Sequence, residues 1–164
     1  MFEFIGQYLW ALCIGVTAFN VYVIGPSRAS AVSHDTVGVA ELQTVRNWVF
    51  GAMILPWVVM GIAQVVGGVS NVWSLFRPRD LNPFVWSWYA VVFLLSCAFA
   101  YWVLVRGGAK YVLALNLVRV SGLRGSVDVS EKWVKVFAVL WPPFSIGWVI
   151  LMWFMEIPDF PGAR

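Results

Sequence analysis

Four long apolar runs, Phe4–Ile24, Asn47–Val69, Phe84–Val105 and Trp133–Met155, constrain this chain more than any other feature. A bilayer's hydrocarbon core, about 30 Å thick, is crossed by about 20 residues of helix. Lipid offers no partner to a backbone N–H or C=O, so each run must satisfy its own polar groups, and it does so as a helix. The expected fold is therefore all-α: one domain over residues 1–164, built as a bundle of four transmembrane helices. The punctuation agrees. Gly25-Pro26 stops the first run, Arg46 precedes the second, and "SLFRPRDLNP" separates it from the third. Arg106-Gly107-Gly108 ends the third, and Glu156 to Pro158 closes the fourth. Only 12% of residues are charged against 61% hydrophobic; a soluble domain carries about 25% charged residues. These charges are too few to coat a globule.

Where the charges lie predicts orientation. Arg28, Arg46, Arg106, Lys110, Arg119, Arg124, Lys132 and Lys135 flank or occupy the connections after the first and third runs. Arg77, Arg79 and Arg164 fall on the other side. The excess of Lys and Arg marks the cytoplasmic side, so both termini are expected on the non-cytoplasmic side. The basic balance is thereby assigned to membrane orientation and not to nucleic acid. "MFEFIGQYLW" carries Glu3 and no basic start, so it does not read as a signal peptide. Arginine is preferred over lysine, and Val, Gly and Ala are abundant, which points to a bacterial inner membrane.

Chemistry at depth is sparse. The single histidine, His34, lies beside Asp35 in the first connection, so a bis-histidine haem within the chain is excluded. His34, Asp35 and Glu41 match no metal-ligand spacing. Cys13 and Cys97 sit inside apolar runs without a CxxC or Cys/His pattern and read as small apolar filler. No GxSxG, HExxH, Walker or GxGxxG motif is present. The polar set inside the runs is Gln7, Thr17, Asn20, Gln64, Ser87, Ser96 and Ser145. It is neutral and scattered, as expected of hydrogen bonds between helices. Catalytic, cofactor-binding and metal residues are accordingly expected to be absent. The third connection, with "AKYVLALNLVRVSGLRG", reads as a helix lying in the cytoplasmic interface or docked on a partner.

Prolines supply the one local anomaly. Pro142 and Pro143 stand in the middle of the fourth run and Pro56 in the second. Having no N–H, they leave the carbonyls of Ala52, Ala138 and Val139 without their helical donors. Such carbonyls are tolerated at membrane depth only against protein, a polar side chain or water. The expected interface is therefore built at these helix breaks from Pro56, Trp57, Trp141, Pro142, Pro143 and Ser145, with indoles or Ser145 donating to the freed carbonyls. Sliding Pro56 onto Pro142 also brings Ala52 onto Ala138 and Gly61 onto Gly147, the pattern an internal repeat would leave.

The functional expectation is a non-catalytic accessory, structural or assembly subunit of a larger membrane complex, with other integral membrane subunits and the lipid bilayer as partners. The competing expectation is an oligomeric channel or carrier for a neutral or weakly polar solute, selecting at the proline breaks. A third reading makes it part of a membrane enzyme acting on a lipid or quinone, its catalyst supplied by a partner.

Overall fold

The computed structural model describes residues 2–24, 38–115, 120–122, 125–127 and 129–155. Helix α1, Phe2–Phe19, loosens into a π-helical turn over Asn20–Ile24. Helix α2 covers Val39–Val65, and two 3₁₀ turns, Val72–Phe76 and Pro78–Asp80, lead to α3, Pro83–Val105. A six-residue helix α4, Ala109–Ala114, and a hairpin of β1, Val120–Gly122, and β2, Gly125–Val127, precede α5, Glu131–Phe154. Helices α1, α2, α3 and α5 are each long and apolar enough to cross a membrane. His34, Asp35, Arg119, Arg124 and the segment from Glu156 onward lie outside the described residues.

Helix ends follow from particular residues. α2 begins at Val39, well before Asn47, because Ala40, Glu41, Leu42 and Gln43 favour helix and Leu42 is buried against Tyr111 and Leu115. Glu41 in its first turn also faces the positive end of the helix dipole. α2 stops at Gly67, whose φ of 78° only glycine adopts freely. There Gly68 N–H donates to Ala63 O at 2.8 Å and Gly67 N–H to Gln64 O at 3.0 Å, the two bonds of a Schellman cap. Asn82 opens α3: its Oδ1 accepts from Phe84 N–H at 2.9 Å, with Pro83 at the first helical position. Its side-chain amide donates to Gly68 O at 2.7 Å, tying the start of α3 to the end of α2.

The long helices are arranged in chain order. α1 packs on α2, α2 on α3, and α3 most extensively on α5, while α1 and α5 scarcely touch. The bundle is thus open along one side. Neighbours are antiparallel: Trp86 near the start of α3 meets Trp153 near the end of α5, and Val103 near the end of α3 joins Val134 and Ala138. Met60, Ala63, Val69, Val72, Leu75, Val85 and Tyr89 form the core at the end holding the 3₁₀ turns. The opposite end is cored by Val103, Ala109, Val112, Val134 and Ala138. On α5 the inward positions are Val134, Ala138, Pro142, Ser145, Val149 and Met152, separated by three or four residues, so one narrow stripe of the helix meets α3.

The third connection departs from the expected interfacial helix. Among its described residues only α4 is helical, and Ala109, Tyr111, Val112 and Leu115 are buried against this chain's own α2, α3 and α5. Beyond it the strands pair antiparallel with Val120 opposite Val127 and Gly122 opposite Gly125. Gly122 and Gly125 disfavour helix and suit a tight hairpin. The apolar character of "AKYVLAL" is internal packing, covered without a partner.

Candidate functional site

The six residues singled out from sequence divide between two seams. Pro56 and Trp57 are half-buried on α2, where Trp57 packs against the Met60–Tyr89 core. Pro142 and Ser145 are half-buried on the inward stripe of α5, whereas Trp141 and Pro143 are exposed. α3 stands between the two sets, and α2 scarcely touches α5. Within one chain they do not line a common cavity. Nor do the prolines interrupt their helices, since α2 and α5 both run through them. What is lost is hydrogen bonds and not helical path.

The expected donor reaches a different carbonyl. Ser145 Oγ–H donates to Pro142 O at 2.7 Å, one turn beyond the carbonyls that the prolines deprive. No described side chain donates to Ala138 O or Val139 O. Ala138 is buried against α3 and α4, but Val139 is exposed, so its carbonyl belongs to the outward part of α5. Close by on that outward face, Gly147 has no atom within 4 Å of where a Cβ would stand. Its supposed counterpart Gly61 is in the opposite situation. A Cβ there would fall 2.8 Å from Trp10 Cε3, so α1 approaches α2 over it. Ala52 is likewise exposed where its counterpart Ala138 is buried. The matched positions occupy unlike environments, and the repeat is not expressed in packing.

The polar residues at depth serve mostly their own helices. Ser87 donates to Pro83 O and Ser96 to Val92 O, at 2.8 and 2.7 Å. Only Gln64 in the predicted set reaches another helix among the described hydrogen bonds: its Nε2 donates to Gly6 O at 3.3 Å. Gln64 Oε1 and Trp88 Nε1 are buried without a partner.

A cluster that sequence reasoning did not single out gathers at the opposite end from the 3₁₀ turns. Tyr111 O–H donates to the Glu41 carboxylate, and Trp102 stacks on the Tyr111 ring with centroids 6.0 Å apart. Lys110 Nζ lies 4.8 Å from the same ring's centroid, and the Arg46 guanidinium 5.6 Å from that of Tyr22. Cations over ring faces are favourable, more so where water is scarce. The available signal was a tyrosine beside a lysine in an otherwise apolar stretch, but its carboxylate partner lies on α2, far away in sequence. Lys135 pairs with Glu131 one turn earlier on α5, at 2.7 Å.

A groove of about 470 Å³ lies between α3 and α5. Trp86, Phe93, Trp141, Phe144 and Trp148 supply its aromatic walls. The hydroxyls on its lining are committed, Ser145 to Pro142 O and Tyr89 to Leu75 O at 2.7 Å. A smaller one of about 250 Å³ lies between α1 and α2 around Trp10 and Gly61. Among the described residues no three His, Cys, Asp or Glu side chains gather as a metal site would require. Compared with protein families, curated proteins and solved structures, the chain finds no match.

Proposed function

We propose that the chain is a non-catalytic subunit or assembly factor of a larger complex in a membrane, the bacterial inner membrane by its composition, with both termini on the non-cytoplasmic side. The observation that carries this reading is the outward face of α5. Val139 O lacks its helical donor because Pro143 has no N–H, and Val139 is 54% exposed. A bare carbonyl at hydrocarbon depth costs free energy unless protein or water covers it. Two turns further along, Gly147 leaves the helix surface open, and small residues are where membrane helices approach one another closely. Val136, Leu140, Pro143 and Gly147 share this face, pointing away from α3. A helix of another subunit, seated over Pro143 and Gly147, brings protein to Val139 O.

The test is purification in mild detergent, with every co-purifying chain identified by mass spectrometry. Distinct membrane subunits are expected. The double variant Pro142→Ala/Pro143→Ala and, separately, Gly147→Leu should insert normally and recover less of those partners. Proline costs about 3 kcal/mol relative to alanine inside a helix, so the first variant should stabilise the isolated helix while weakening assembly. Recovery of this chain only with copies of itself, together with loss of a solute flux in the proline variant, would replace the subunit reading with a channel.

A further inference from the structure

We infer that the groove between α3 and α5 seats one acyl chain of a phospholipid, drawn from the leaflet on the side of the 3₁₀ turns, with its phosphate attracted to Arg79. This rests on α3 and α5 spanning the bilayer and not on the subunit reading. At about 470 Å³ the groove is of ligand-site size. With the hydroxyls of Tyr89 and Ser145 already bonded within the chain, its walls present hydrocarbon and ring faces to an occupant. Such walls suit an alkyl chain and give a polar solute little to bind.

Length selects a single leaflet. The groove's lining runs along α3 from Trp86 to Phe93, about 10 Å, and along α5 from Trp141 to Ile150, about 14 Å at 1.5 Å per residue. Half of a hydrocarbon core is about 15 Å. One end lies near the paired rings of Trp86 and Trp153, whose centroids are 6.4 Å apart. Indoles so close to helix ends are placed for headgroup depth.

Charge selects the headgroup. The turn Pro78–Asp80 packs on α5, and antiparallel pairing puts it at the same end of the molecule as Trp86 and Trp153. Arg77, which caps that turn, is engaged by Asp80 at 3.2 Å, whereas Arg79 within it is exposed and has no ion pair among the described residues. A cation at the groove's headgroup end and a trough one leaflet deep fit an anionic headgroup joined to a hydrocarbon chain. An uncharged isoprenoid would use the trough but not the arginine.

The full chain is reconstituted in phosphatidylcholine vesicles containing a minor fraction of phosphatidylglycerol with a diazirine midway along one acyl chain. It is then photolysed, and the adducts are mapped by peptide mass spectrometry. Phe93 and Phe144 should be labelled several-fold more than Leu12 and Val16 on the exposed surface of α1. Ala90→Trp, which puts bulk into the groove, should abolish the excess while leaving α1 labelling unchanged. Arg79→Gln, on an exposed turn, should lower it without disturbing the helices. The assignment is overturned by even labelling of all apolar faces or by an excess that survives both substitutions. It is equally overturned by the same yield from a diazirine-bearing isoprenoid alcohol, or if a photoreactive amino acid placed at Phe144 crosslinks the groove to another polypeptide in native membranes.

Discussion

Gly61→Ala offers the sharpest test of how α1 is held. The added Cβ would stand 2.8, 2.9 and 3.2 Å from three atoms of the Trp10 ring. Carbon atoms rest at about 3.5–4.0 Å, so the ring or the helix must retreat by about 0.7 Å. Rotating the indole alone is hindered, because the Cβ meets its rigid fused-ring atoms. α1 can shift, however, since it packs mainly on α2 and the first 3₁₀ turn and is largely exposed elsewhere. The cost should therefore fall at the low end of overpacking, about 1–2 kcal/mol, and Gly61→Leu should cost more. The measurement is unfolding in mixed micelles titrated with sodium dodecyl sulfate, followed by circular dichroism for wild type, each single variant and the double. In a Trp10→Ala background the penalty of Gly61→Ala should vanish, a coupling energy of the kind contacting residues show. If the penalty is the same in both backgrounds, Trp10 is not what Gly61 accommodates, and the account of the α1–α2 seam is wrong.

Three other outcomes are expected. Cysteines introduced at Ser33 and Ser126 should resist an impermeant thiol reagent in intact cells while those at Ser74 and Gly162 react; the reverse pattern would invert the orientation. Tyr111→Phe should loosen α4 from α2 by about 1 kcal/mol, the order of a modest hydrogen bond to a partly solvated carboxylate, and hydrogen exchange across α4 should quicken; unchanged exchange would mean that the bond to Glu41 contributes nothing. Replacing both Cys13 and Cys97, which are free thiols here, with alanine should leave insertion and assembly nearly intact, and a marked loss of either would reveal a packing or ligating role.

Composition and periodicity determined the membrane-length helices because that property is local. Twenty consecutive apolar residues must satisfy their own backbone wherever they sit, so α3 and α5 were legible almost to the residue, while α2 was misplaced at both ends: polar helix formers extend it back to Val39, and the glycine cap stops it at Val65 although the apolar run continues to Val69. What tertiary structure decided is which residues meet. A proline announces a missing donor from sequence alone, yet only packing turns Pro142 inward and Pro143 outward, and so puts Val139 on the face without cover. Gly61 and Gly147 look alike in sequence; a tryptophan from α1 makes one a close contact and leaves the other open. Helix α4 reads as interfacial until three other helices close over it, and the Glu41–Tyr111 bond exists only because they do. In a chain so uniformly apolar, hydrophobicity fixes how many helices form but distinguishes poorly among their faces, and the choice falls to shape and to the few polar atoms that must find one another.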